Sequence, residues 1–445
     1  MKLALWSPLP PSPSGIADFV AEQLPVLSRR FDLTLVAEDP RAVADSLAHL
    51  YRVVDPDSVP ETDLDLYQVG NSPAHAYVYR AALKRPGVVF LHDWSLHHLV
   101  LLETVERGDV SAYLREMRRA YGETGTFVGR QVARALGGDL LPALFPLNDR
   151  LLEASLAVVG LTDWVCSRAA RRLPGRPVLH LRHHVSLPLD PLPSRRDARR
   201  VLGLPDDAFL VTSPGLATSA KRLEVVVRTV ARLRERHPLV RLVVAGAQDP
   251  KLDLEGWASR SGLGEGLLAT GRVSLGDFIR HLCATDVVVA LRFPSHGEIS
   301  GALTRTLGVG RPALVTAGTP AADEFPEGVV IPIDPGPREE EELLAFLEAL
   351  TENRALGEEI GRRAREHTAR FHDLEQETER LASFLAQVNA EKAGVLSALA
   401  AEAGEETGLA GYLMEELRWG VRDLGLPGWG VGWRDLVDGL LGTGR

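Results

Sequence analysis

Short runs of aliphatic residues alternate along this chain with longer segments whose apolar positions recur every three or four residues. In the first half the short runs fall at residues 3–6, 31–36, 66–69, 88–91 and 157–161. In the second half they fall at 209–212 and 240–245 and around Val287, Leu314 and Val330. These runs are too short for helices, and they are continuous rather than alternating. That is the pattern of strands buried on both faces of a parallel sheet. Helical periodicity fills the gaps, at 16–27, across 99–155 and at 223–237. Strands alternating with helices predict an α/β protein with helices on both sheet faces.

The pattern breaks once, near 185–200. Pro188, Pro191 and Pro193 lie in SLPLDPLPSRRD, a stiff composition suited to an exposed linker. Two doubly wound, Rossmann-like units are therefore expected, at 1–187 and 198–388, with charged covering helices over 339–389. Residues 389–445 are expected to form a helical C-terminal extension rich in Ala, Gly and acidic residues. It holds Trp419, Trp429 and Trp433, which fit docking on the body of the protein better than docking on a partner.

At 445 residues the chain exceeds one ordinary core. A formal charge of −10 argues against broad nucleic-acid binding. An anionic ligand then needs a local basic site. Cys166 and Cys283 stand far apart without metal-ligand spacing, which fits a reducing cytoplasm. The apolar start MKLALW is too short for a signal peptide, and no window reaches the ~20 apolar residues of a membrane span. The expected location is cytoplasmic. Only five lysines occur, so Lys221, in a loop, stands out.

Ligands of open parallel sheets bind beyond the carboxyl ends of the strands. In the first unit those positions hold Ser14-Gly15-Ile16, Asn71-Ser72 with His75, and His92-Asp93 with His97 and His98. In the second they hold Gly215 to Arg222, Gly271-Arg272-Val273, and the stretch 291–315. That stretch leaves an apolar run, passes through a polar loop with Arg292 and Glu298, and opens a helix at Ser300-Gly301. A helix starting past a strand end points free N–H groups outward and suits a phosphate. Ser300 can cap it, and Gly301 lets a ligand approach the backbone. Lys221 and Arg222 add positive charge. The plain alternative is an ordinary strand–loop–helix corner. A zinc site would need three or four converging ligands, and no such spacing appears, so no metal is expected. The first loop lacks G-x-G-x-x-G, which weakens a dinucleotide oxidoreductase. Arginines at 107, 115, 118, 119, 130 and 134 mark the helical stretch 99–155 as a solvated face, or as one that meets a polyanionic acceptor or a bilayer. The net acidity counts against the bilayer.

Together these segments resemble the retaining, nucleotide-sugar-dependent glycosyltransferases of GT-B fold, family 4, over most of residues 1–385. PLPPSPSGIAD is similar to the family's glycine-bearing first loop. QVGNSPAH and GVVFLHDWSLHHL resemble segments of a bacterial branch. SPGLATSAKRLEVVVRTVARL resembles the phosphate-binding loop and its helix, TGRVSLGDFIRHLCATDVVVALRFP the nucleotide-base segment, and GEISGALTRTLGVGRPALV the donor-binding signature. The resemblance implies two Rossmann-like domains facing across a cleft. It implies metal-independent transfer of a hexosyl group from a nucleoside diphosphate sugar to a saccharide, lipid-linked or other small acceptor, with retention at the anomeric carbon. No cofactor is implied beyond the donor. His92, Lys221 and Glu298 would be catalytic. Gly15, Gly215, Arg222, Gly271, Val273, Arg292, Ser300 and Gly301 would bind the donor. The signature departs from the family in one place. Its second glutamate falls on Arg305 or Thr306, depending on whether one counts from Pro312 or Glu298. The arginine usual after the phosphate-loop glycine is Leu216, which leaves Arg222 or Arg292 as its stand-in. These departures keep open a second reading, a GT-B scaffold that has lost turnover and serves a partner enzyme.

Overall fold

The computed structural model describes residues 1–405. Two parallel sheets form in sequence. The first holds β1 (Lys2–Trp6), β2 (Asp32–Val36), β3 (Arg52–Val54), β4 (Leu64–Val69), β5 (Val88–Leu91), β6 (Ala157–Gly160) and β7 (Val178–His180), in spatial order β3-β2-β1-β4-β5-β6-β7. The second holds β8 (Phe209–Pro214), β9 (Val240–Ala245), β10 (Leu267–Gly271), β11 (Val287–Ala290), β12 (Ala313–Thr316) and β13 (Ile331–Ile333), in order β10-β9-β8-β11-β12-β13. Each order reverses once, between β1 and β4 in one sheet and between β8 and β11 in the other. A crevice opens at such a switch point because the flanking loops leave in opposite directions. The register fixes it: Leu5 lies beside Leu35 on one side and Leu66 on the other.

The expected strands form, and three more join them. β3 and β7 are three-residue edge strands, only partly buried, and too short to leave a periodic signal. β10 is an edge strand whose middle residues face solvent, so it lacks a continuous apolar run.

One hydrophobic cluster runs through both units, with Leu5, Leu24 and Phe90 on one side and Leu210, Leu303 and Leu307 on the other. Two further clusters cover the remaining sheet faces. The Arg195–Leu202 helix packs on the Leu275–Ala284 helix, so the second unit takes in a turn of chain ahead of residue 198. Arg199 anchors it, buried, with Nη2 donating to Asp286 (2.6 Å) and Nε to the Ala284 carbonyl (2.9 Å).

The Glu339–Glu352 and Arg354–Phe371 helices cover the second unit, and the Leu374–Glu405 helix crosses back onto the first. There Leu381, Ala382 and Leu385 join the cluster of Leu24 and Leu27, beneath the Gly15–Leu27 helix. Residues 389–405 continue this helix without a break. Trp419, Trp429 and Trp433 lie outside the described residues. No helix among the described residues is long and apolar enough to cross a membrane.

Candidate active site

The segments after β1 and β5 face those after β10 and β11 across the crevice. Gly15 opens the Gly15–Leu27 helix behind Ser14, whose hydroxyl accepts from the Ile16 N–H (3.2 Å). A Cβ on Gly15 would meet nothing within 4 Å, so the approach to that helix end is open.

Below it, Gly215 takes φ +80°, a left-handed turn that brings the β8 loop under the Gly301–Gly308 helix. A Cβ there would lie 3.3 Å from Lys221 Nζ and 3.6 Å from Ala302 Cβ. Lys221, buried, donates from Nζ to the Pro214 carbonyl. Burial, with repulsion from Arg292 second, lowers its pKa to about 7. Ser300 caps the same helix, its hydroxyl accepting from the Leu303 N–H (3.4 Å). Gly301 packs close to His183 and Arg305; an added Cβ would sit 3.1 Å from His183 Nε2 and 3.1 Å from Arg305 Nη1. Lys221, Gly215, Ser300 and Gly301 thus converge as a cradle of one buried cation and outward N–H groups, the combination that binds a phosphate.

Beside the cradle, Arg292 Nη1 donates to Glu298 Oε1 (2.7 Å). The His296 N–H reaches Glu298 Oε2 (2.6 Å). Gly271, exposed, ends β10, and Val273, half-buried, follows in the next loop. Its Arg272 is near enough to act on Asp18 of the Gly15–Leu27 helix. The Asp18 pKa is raised by burial above all, Arg305 opposing and Glu22 adding to the rise.

Two expected site residues are turned elsewhere. Arg222 adopts φ +56°, and its guanidinium grips the buried Glu339 with both Nε (3.1 Å) and Nη2. In this structure it does not point into the cradle, so Arg292 is the arginine there. His92 is buried. Its ring stacks on Phe90 at 4.6 Å, meets Phe19 edge-on, and donates from Nε2 to Gln68 Oε1 (2.7 Å). Burial holds its pKa well below the usual value, so it is neutral. The group that faces the second unit at this strand end is its neighbour Asp93. Burial first, and the Glu298 charge second, raise the Asp93 carboxyl to about 6. Its Oδ2 accepts from the Asn71 N–H (2.7 Å). Of the other histidines at these strand ends, His75 donates to the Gln68 carbonyl, His97 bridges Phe145 and Tyr113, and His98 lies 3.2 Å from Asn71 Nδ2 with its ring beside that of His296.

The two units touch at this point. The N–H groups of Trp94 and Ser95 donate to the His296 carbonyl (2.8 and 3.2 Å). Gly297, at φ +85°, has no room for a side chain, since a Cβ would come 2.6 Å from Trp94 Cβ. Arg305, one of the two positions on which a second glutamate was expected to fall, crosses to the first unit. Its Nη2 donates to Glu22 Oε1 (2.7 Å), and His184 Nε2 donates to Glu22 Oε2 (2.8 Å). Arg305 and Glu22 thus form an ion pair between the units.

Among the described residues one group of side chains has metal-ligand proximity, His237 with Glu348 and Glu352, at the far side of the second unit and away from the cradle.

Residues 194–367 match the family model described as Glycosyl transferases group 1. The match lies within the second unit. No curated protein matches the chain. Among solved structures, sucrose-phosphate synthase from Thermosynechococcus elongatus superposes with a TM-score of 0.64 at 14% identity, covering 88% of this chain and 100% of that one. HepE from Anabaena, solved with UDP and glucose, gives 0.59 at 15%, covering 87% and 100%. WaaG, a glycosyltransferase involved in lipopolysaccharide biosynthesis, gives 0.58 at 14%, covering 86% and 99%. At these identities the likeness is one of fold, and that fold is GT-B.

Proposed function

We propose that this chain, whose second unit carries the match to glycosyl transferases group 1, moves a sugar from a nucleoside diphosphate sugar to an acceptor with retention and without a metal. The observation that carries this reading is the cradle. Lys221 Nζ, the Gly215 turn and the capped end of the Gly301–Gly308 helix converge at the switch point of the second sheet.

The chemistry follows from the charges. As the glycosidic bond breaks, negative charge grows on the leaving diphosphate. A buried ammonium and oriented N–H groups act most strongly on that growing charge, and so favour the transition state over the bound donor. With a pKa near 7, Lys221 is only partly charged in the empty site and gains its full charge when the diphosphate arrives. That pairing supplies the neutralisation a divalent ion would otherwise give. Arg292 and Glu298 together present a donor and an acceptor to the sugar hydroxyls. Asp93 approaches the same space from the first unit, joining the expected set in place of the buried His92. The acceptor hydroxyl attacks from the face the diphosphate leaves, and a diphosphate oxygen takes its proton. Contact between the units at His296 excludes water from a hydrolysable donor.

The donor base is tested by thermal unfolding with UDP, GDP, ADP and CMP, each with and without magnesium. UDP comes first because HepE, similar in fold, was solved with UDP-glucose. Stabilisation by one diphosphate, equal with and without magnesium, is the expected result. Stabilisation only with magnesium would remove the metal-free reading.

A further inference from the structure

The Gly301–Gly308 helix, whose start forms the cradle, brings no acid to the crevice. Thr304 and Thr306 are fully buried, and their hydroxyls donate to the Gly301 and Ala302 carbonyls of the same helix (3.1 and 2.7 Å). Arg305 can only donate. The nearby acids of the second unit already have partners. Asp249 accepts from the Lys251 N–H (2.9 Å), Asp277 from Arg280 Nη1 (2.7 Å) and Glu298 from Arg292 Nη1 (2.7 Å).

The first unit supplies what the second lacks. Asp18 lies in the first turn of the Gly15–Leu27 helix, one turn ahead of Glu22 on the same face. Glu22 is the carboxylate that Arg305 reaches, and Arg305 Nη1 would lie 3.1 Å from a Cβ on Gly301. Asp18 is therefore one turn closer than this contact to the open Gly15 end, across from the cradle. Arg272, after β10, acts on it as well. The Asp18 carboxylate is half-buried and makes no hydrogen bond or ion pair among the described residues. A carboxylate withdrawn from water without a partner costs the empty fold free energy. Its raised pKa has the same cause, burial. A ligand that donates to Asp18 offsets that cost.

A nucleoside diphosphate sugar leaves the cradle in two directions. Its sugar goes to Arg292 and Glu298, after β11. Its nucleoside takes the other direction, along the strand ends toward β10 at the sheet edge. Asp18 stands on that path, between the cradle and Arg272. The first group the path meets is the ribose, a vicinal diol whose two hydroxyls can both donate to one carboxylate.

We propose that Asp18 binds the ribose hydroxyls of the donor nucleotide from the first unit. This rests on the transferase reading. The diphosphate is held by the second unit and the ribose by the first, so the nucleotide bridges the crevice. A deoxyribose gives up part of that bridge.

The test is calorimetric titration of the full chain with UDP, GDP and ADP, each beside its 2′-deoxy and 3′-deoxy counterparts. The ribonucleotide that binds should bind about tenfold more tightly than its deoxy forms, the size expected of a hydrogen bond to a charged group. Asp18→Ala should bring the ribonucleotide down to the level of the deoxy forms and leave the deoxy forms unchanged. Asp18→Asn, which keeps one accepting oxygen, should fall between. Both empty variants should unfold at or above the wild-type temperature, because the unpartnered carboxylate is gone. Equal binding of ribo and deoxy forms by the wild type overturns the proposal and leaves the transferase reading standing. So does an Asp18→Ala variant that weakens all forms alike, which is what a structural role would give, or one that keeps the ribose preference. Binding of no nucleoside diphosphate overturns the transferase reading and the ribose contact together.

Discussion

If Lys221 supplies the cation under the diphosphate, donor binding must carry a proton with it above neutral pH. Burial and Arg292 hold the empty-site pKa at about 7, against an ordinary 10.5. A bound diphosphate offsets both and returns the pKa toward its ordinary value. The binding-competent fraction of the empty site then falls as pH rises through 7, while the complex stays protonated. Between pH 7.5 and 9 that fraction drops about 25-fold, or roughly 2 kcal/mol. The diphosphate itself is almost fully ionised across this window, so it contributes little. Calorimetric titration with the stabilising nucleoside diphosphate at pH 8.5, in two buffers of different ionisation enthalpy, should report uptake of nearly one proton. Lys221→Met should bind more weakly at pH 7.5 and lose the pH dependence. A flat affinity from pH 7.5 to 9, or the same slope in the variant, would refute the reasoning.

Other consequences can be measured separately. Arg305→Ala leaves Glu22, half-buried, with one partner lost, and should destabilise the protein by about 2–3 kcal/mol in denaturant unfolding. Glu22→Leu with Arg305→Leu should recover much of that loss. Gly297→Ala meets Trp94 at a left-handed backbone position. It should cost about 1–3 kcal/mol and cut transfer more than the stability loss explains. Glu298→Gln removes the charge that helps raise Asp93, so the Asp93 carboxyl, followed by carbon NMR, should titrate lower in the variant than in the wild type.

What was legible in the sequence was local. The cradle is built from a turn glycine, a lysine six residues on and a capped helix start, each specified by its own few residues. The two-unit organisation was legible for the same reason, because continuous apolar runs mark buried strands wherever they pack. The short edge strands were not, since an exposed edge needs no such run. Partners distant in the chain were also hidden. Arg222 finds Glu339 117 residues away, and Arg305 finds Glu22 283 residues away. Arg305 stands near where a glutamate was expected, and only the fold shows the carboxylate it meets. His92 and Asp93 are adjacent in sequence, and only the strand's geometry decides which faces the crevice.

The central claim is that Lys221 serves transfer of a sugar from a nucleoside diphosphate. The direct measurement is release of nucleoside diphosphate from the donor sugar whose diphosphate stabilises the fold, for the wild-type chain and for Lys221→Ala, with unfolding curves recorded beside it. The account predicts turnover in the wild type and a loss of 100-fold or more in the variant, roughly 3 kcal/mol of transition-state stabilisation, with the fold intact. Equal release by both, or no stabilisation and no release with any nucleoside diphosphate sugar, would contradict it.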